Sequence, residues 1–287
     1  MQALKPVWKT SSYLVYAGGL IVLGAAIAAL SYLSGHYGSG ALTGWALLVL
    51  AVLSTIAESL RRRERWVAAG IFAFASVIAW GAFVGIAWHW FGWLDSWNSA
   101  FGGWSVSHLS LELLVLTAAL NDRRRWRFPL ITLISAVVGW FFVTDFVSNG
   151  GEWTYTVTLL IGLAYLIGGS ISDQPSAFWL HFVGGALIGA SLLHWWHSTD
   201  TNWALISAAA LVYVWIAYIT KRSSWAVFGS IGFFLATIHY LFSTATNSSG
   251  IPTSVPSISG WAPSVAFACL GFWLVLLGLA ARRRSAV

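Results

Sequence analysis

Glu112 and His108 stand four residues apart in an otherwise apolar run, a spacing that puts both side chains on one face of a helix. A carboxyl and an imidazole so placed can share a proton or hold a ligand between them. Asp145, in the next apolar run, adds a second acidic group. An ionised carboxylate in lipid is costly unless it is paired, protonated or hydrated, so such residues face a bundle interior or a wet path. Glu112, His108 and Asp145 therefore form a candidate substrate or proton site. The competing reading is a neutral Glu112 bonded to a Ser, Tyr or Trp of a neighbouring helix.

Imidazoles are also metal ligands. His194 and His197 share a helical face at i, i+3, and His239 and His89 map to the same end of the apolar segments, as do His36 and His108. Zinc, copper or haem could be held by such side chains from different helices. No metal-site signature such as H-E-x-x-H accompanies them, and His beside Trp195 and Trp196 also suits an amphipathic interfacial belt. No cofactor is the expectation, with zinc or haem as the alternatives. Ser105, Ser107, His108 and Asp145 hold the atoms of a hydrolase, but there is no Gly-x-Ser-x-Gly run and no Gly-rich phosphate loop. An enzyme is not the expectation.

The elements that must position these groups are read from charge and hydropathy. All fifteen Lys and Arg residues fall at Lys5 and Lys9, Arg61 to Arg65, Arg123 to Arg127, Lys221 and Arg222, and Arg282 to Arg284. Between those clusters lie pairs of hydrophobic segments whose connecting turns hold no Lys or Arg. Translocating Lys and Arg is disfavoured, so one threading through a bilayer keeps every cluster, and both termini, on the cytoplasmic side. A crossing helix needs ~20 apolar residues for a ~30 Å hydrocarbon core. Ten segments qualify, at 12–34, 41–60, 66–92, 102–120, 128–148, 153–172, 177–197, 202–220, 225–245 and 262–281. The runs are continuous, not alternating, which selects helices over a barrel. The fold class expected is all-α: a polytopic integral membrane protein of about ten transmembrane helices built as tandem hairpins.

Composition agrees. Charged residues make up 8% of the chain and hydrophobic ones 58%, whereas a soluble domain carries about 25% charged residues. Mean hydropathy is +0.76. The pI of about 9.7 would suggest nucleic acid for a soluble chain, but here the charge sits in short turns, where topology and anionic lipid account for it. No nucleic-acid partner is expected. Cys269 is the single cysteine, so no disulfide forms within the chain. The linkers are short apart from 94–103 and the Ser- and Pro-containing 246–261, so residues 1–287 are expected to form one transmembrane domain with no soluble module.

Tryptophans recur with a helical-hairpin period. Trp45 is followed by Trp66, Trp104 by Trp126 and Trp203 by Trp225, each time with a basic turn before the second Trp. The pattern reads as Trp at opposite membrane interfaces of repeated hairpins. Glycine pairs at Gly40 and Gly44, Gly81 and Gly85, and Gly185 and Gly189 are spaced for close helix packing. No expected span has a mid-membrane proline, the mark of many broken transporter helices. Ten helices in under 300 residues is similar in size and topology to the drug/metabolite transporter superfamily, although no motif of that family is present. The expected function is a non-enzymatic, inner-membrane transporter or binder of a small solute or lipid, through an outward-facing polar cavity near Glu112. A metal- or haem-binding membrane protein and a structural membrane subunit are the alternatives. The bilayer, a small or lipid ligand and a second copy of the chain are the possible partners.

Overall fold

A computed structural model describes residues 32–94, 105–148, 153–171, 176–220 and 223–242, with isolated positions at 21, 24–25, 28–30, 151 and 272. The tenth expected segment, the 246–261 linker, Cys269, Trp104, Asp95 and Glu152 lie outside the described residues. Residues 32–36 belong to a helical stretch that precedes eight helices with defined ends. These are α1 (Ser39–Arg62), α2 (Trp66–Trp90), α3 (Val106–Trp126), α4 (Ile131–Ser148), α5 (Thr154–Ile171), α6 (Ser176–Trp196), α7 (Asp200–Thr220) and α8 (Ser223–Phe242). Among the described residues there is no strand.

Among the described residues six helices are long and apolar enough to cross a membrane: α1, α2, α4, α5, α6 and the Thr201–Ile219 part of α7. The chain is thus a multi-pass integral membrane protein. The apolar part of α8, Trp225–His239, is shorter. Bilayer exposure explains the large apolar side chains on helix surfaces, such as Ile167, Leu160 and Trp215, which in water would drive aggregation.

Local chemistry sets the helix ends. α1 stops in a Schellman motif: Arg65 N–H donates to Leu60 O at 3.0 Å and Glu64 N–H to Arg61 O at 2.9 Å. Glu64 takes the left-handed conformation that this motif requires, at φ 58°. The same motif ends α2, with Trp93 N–H on Trp88 O and Gly92 N–H on His89 O, and there Gly92 fills the left-handed position at φ 73°. α3 does not stop at residue 120, where the apolar run ends. It continues through Arg123, Arg124 and Arg125, cations that favour a helix C-terminus, and closes on left-handed Arg127. Pro129 then lies in the turn before α4.

The described chain divides into two compact units, residues 1–161 with 167–183, and residues 162–166 with 184–287. In the first, α1 packs on α2, α2 on α3 and α3 on α4. Its core is small and apolar, with Leu53, Ala57, Ala73, Val77, Ala119 and Ile131 in one cluster. In the second unit α7 packs on α8. There a Cβ on Gly184 would lie 2.8 Å from Gly162 O, so the α5 and α6 backbones touch at that point. The expected glycine pairs act differently. Gly40 faces the Trp90 ring, Gly81 faces Val115, Gly185 faces Phe228, and nothing lies within 4 Å of a Cβ at Gly44. They seat side chains where a backbone-to-backbone approach was expected.

The Trp repeat also resolves unevenly. Trp66 is exposed and Trp126 is held among arginines, but Trp225 is only 1% exposed, packed on Tyr213 at a ring distance of 5.2 Å. Its indole is core rather than interfacial belt.

Candidate functional site

Among the described helices α3 combines apolar and ionisable residues most closely, with Glu112 in its second turn and Asp122 and three arginines in its last turns. It packs against both α2 and α4. Trp80 of α2 donates its indole N–H to Leu114 O at 3.4 Å, and Gly81 admits Val115. The surface of α3 is therefore covered on two sides, although α3 itself is not among the six helices apolar enough to cross a membrane.

Glu112 is half-buried and its carboxyl comes within hydrogen-bonding reach of Asp145 of α4. Asp145 is buried, at 5% exposure. Two carboxylates offer only acceptors, so a bond between them requires a proton on one of the pair. The second carboxyl oxygen of Glu112, Oε2, is buried with no hydrogen-bond partner among the described residues, as is the Thr144 hydroxyl beside Asp145 in sequence. Ser148 donates to Thr144 O at 2.6 Å and Thr154 of α5 donates to Ser148 Oγ at 3.1 Å. A polar seam thus runs from the carboxyl pair to the start of α5.

Counting from the basic turn near Arg123, the sequence puts Glu112 near the bilayer middle and Asp145 near the outer interface, where it could be wet. In the structure the two stand level. Because α3 runs on to Trp126, Glu112 lies fourteen residues from the end of α3 and Asp145 fourteen from the start of α4. At ~1.5 Å per residue both stand about 21 Å from the turn, side by side. His108, one turn away on α3, is half-buried. It does not complete a group of three with the two acids: among the described residues no three His, Cys, Asp or Glu side chains are placed to hold a metal ion.

The remaining histidines are engaged locally. His36 donates Nδ1–H to Tyr32 O at 2.9 Å and stacks on the Tyr32 ring. His89 donates to Leu94 O at 3.0 Å, and His197 to His194 O at 2.7 Å. The rings of His194 and His197 are 6.2 Å apart, and His239 stacks on Trp203 at 4.5 Å. Buried His181 donates Nδ1–H to Ala177 O at 2.7 Å, next to Gly169, where no side chain would fit.

A second polar feature was not anticipated. A cavity of about 510 Å³ opens between α1, α2 and α3 at the end where their arginines cluster. Ser54, Thr55, Glu58, Ser59 and Arg62 of α1 line one wall. Ser76 of α2 and Asp122, Arg125 and Trp126 of α3 complete it. Glu58 meets Arg61, Arg62 and Arg125. Glu58 Oε1 accepts from Arg61 at 2.7 Å and from Arg62 at 3.2 Å, while Oε2 accepts from Arg61 and Arg125, each at 3.0 Å. Arg61 and Arg125 also lie over the Trp126 ring, 5.6 and 5.3 Å from its centroid. The signal in the sequence was that Ser54 and Thr55 lie one helical turn ahead of Glu58 and Ser59, on one face of an otherwise apolar helix.

Fold and site together define a multi-pass membrane protein with a carboxyl pair between two central helices. No protein-family model, no curated protein and no solved structure matches the chain.

Proposed function

We propose that the chain moves or binds a small solute or lipid, with proton exchange at Glu112 and Asp145. The observation that carries this reading is the close approach of the two carboxyls of α3 and α4. A proton held between half-buried Glu112 and buried Asp145 is released or taken up when a ligand, or a shift of α3 against α4, alters their separation. The unpartnered Glu112 Oε2 is an acceptor that a ligand donor or a proton can occupy. His108 is the group through which that proton would reach the solvent.

In this reading ten helices, arranged as tandem hairpins, form one transmembrane domain with both termini cytoplasmic, and the carboxyl pair opens to the outer side. The one-sided placement of Lys and Arg supports that orientation. The protein is a carrier or binder and not an enzyme. The test is solute-driven proton flux in proteoliposomes loaded with a pH-sensitive dye, comparing the natural chain with Glu112→Gln. Flux that survives the substitution unchanged would leave the carboxyl pair a structural joint and the protein a structural membrane subunit.

A further inference from the structure

The cavity at the basic end is distant from the carboxyl pair and has a different charge balance. Three guanidiniums, those of Arg61, Arg62 and Arg125, converge on the single carboxylate of Glu58. Both Glu58 oxygens are already taken by these donors, so the carboxylate has little left to offer a cationic ligand. Asp122 is also engaged, accepting a hydrogen bond from Trp126. The arginines, in contrast, each spend only one or two donors of their fork on Glu58. Exposure follows the same order: the Arg62 side chain is 78% exposed and that of Arg125 50%, whereas Glu58 is 23% exposed. Against the carboxylates of Glu58 and Asp122 stand the guanidiniums of Arg61, Arg62 and Arg125, so a surplus of positive charge remains, and its most exposed members, Arg62 and Arg125, face the opening.

Hydroxyls line the walls further along the helices: Ser76 is buried and its Oγ donates to Ala73 O, while Ser54, Thr55 and Ser59 are exposed and Thr55 Oγ1 donates to Ala51 O, which leaves lone pairs to accept from a polyol. Ser54 is eight residues from the Arg62 end of α1 and Ser76 ten from the Trp66 start of α2, or about 12 and 15 Å along their helices. Trp126, clamped by two guanidiniums and its bond to Asp122, makes a rigid side wall. The volume of about 510 Å³ far exceeds the ~30 Å³ share of a water molecule. It leaves room for a phosphate together with a glycerol or similar polyol esterified to it.

We propose that this cavity binds a phosphate-bearing polyol, with Arg62 and Arg125 holding the phosphate at the mouth and the Ser and Thr hydroxyls holding the polyol below. Guanidinium forks match phosphate oxygens in pairs, and short hydroxyl side chains suit a polyol. The same chemistry is presented by an anionic phospholipid headgroup and by a free phosphate ester, since the mouth lies at a helix end where lipid phosphates and solution meet.

The test uses the full-length protein in nanodiscs of phosphatidylcholine with a minority of phosphatidylglycerol, followed by native mass spectrometry of retained lipid. The expected result is one phosphatidylglycerol retained on the natural chain. Retention should fall about tenfold or more in Arg62→Gln/Arg125→Gln, the consequence of losing charge-assisted bonds. It should hold in Arg63→Gln/Arg124→Gln, which removes the same charge from exposed arginines that do not line the cavity. Glu58→Gln should strengthen retention, because the guanidiniums lose their counter-charge. A parallel titration of lipid-free, detergent-solubilised protein with glycerol 1-phosphate identifies the source: binding with the same pattern of variants, but no retained lipid, upholds the site and makes its ligand a soluble ester. Equal loss in the two double variants would reduce the effect to general attraction of basic turns for anionic lipid and overturn the proposal. So would binding of neither probe, or weaker retention in Glu58→Gln with the fold intact by circular dichroism.

Discussion

Replacing Glu112 by Gln tests whether the carboxyl pair acts as a unit. Two carboxylates ~4 Å apart at an effective dielectric of ~20 repel by about 4 kcal/mol, a cost that one shared proton removes. Gln keeps the length of the side chain and supplies N–H donors, so Asp145 retains a donor at position 112 whatever the pH. Side-chain hydrogen bonds inside membranes average ~0.6 kcal/mol and reach ~1.7, so Glu112→Gln should cost about 1 kcal/mol or less. Glu112→Ala removes both the bond to Asp145 and the volume, and should cost about 2–3 kcal/mol. With Asp145→Asn the cycle should show a coupling of about 0.5–2 kcal/mol, as neighbours in one bond do. Denaturant unfolding of the detergent-solubilised protein measures these values. Infrared difference spectroscopy should show the C=O stretch of a protonated carboxyl in the natural chain at neutral pH, lost in Glu112→Gln/Asp145→Asn. A coupling within about 0.3 kcal/mol of zero, with that band unchanged in the double variant, would refute the shared proton.

Three further outcomes are expected. In a chain with Cys269 replaced by Ala, single cysteines at Arg63, Arg124 and Arg283 should react with an impermeant maleimide only from the cytoplasmic side; labelling from outside would reverse the orientation drawn from the charge pattern. Glu64→Gly should raise the thermal midpoint, because a non-glycine residue at φ 58° costs ~1–2 kcal/mol and glycine returns only ~0.5–1 kcal/mol of that as unfolded-state entropy; a lower midpoint would show that the Glu64 side chain matters more than its backbone. Gly184→Ala should destabilise by about 1–3 kcal/mol, since its Cβ would meet Gly162 O at 2.8 Å and a backbone oxygen cannot turn aside; an unchanged midpoint would mean that α5 and α6 separate at little cost.

Membrane character was legible because it rests on composition and on uninterrupted apolar runs, which the bilayer reads directly. The starts of α1, α2, α7 and α8 fall within a few residues of the expected segments for the same reason. The end of α3 was not legible. Hydropathy stops counting at Leu120, but a helix backbone propagates through Asn121, Asp122 and the arginines because charged side chains can reach polar surroundings while the backbone stays hydrogen-bonded. Trp225 shows a second limit: an indole is apolar over most of its surface, and its place in a repeat does not reveal whether it meets lipid or a tyrosine.

The misplaced end of α3 had consequences at both of the polar sites. The sequence grouped Glu112 and Asp145 in one candidate site but set them at different depths. Shortening α3 also removed Asp122, Arg125 and Trp126 from helical geometry, and with them the wall of the basic-end cavity. Extending one helix to Trp126 restores both sites. It brings Glu112 level with Asp145, so that the two carboxyls of the expected site come within hydrogen-bonding reach. It also carries Arg125 to Glu58 across sixty-seven residues of chain, a contact no local pattern could signal. α3 thus links an acid pair that needs a proton to a basic cavity that has cations to spare. A displacement of this helix along its axis would disturb both, which is why substitutions at Glu112 and at Arg125 should be compared in the same proton-flux and lipid-retention assays.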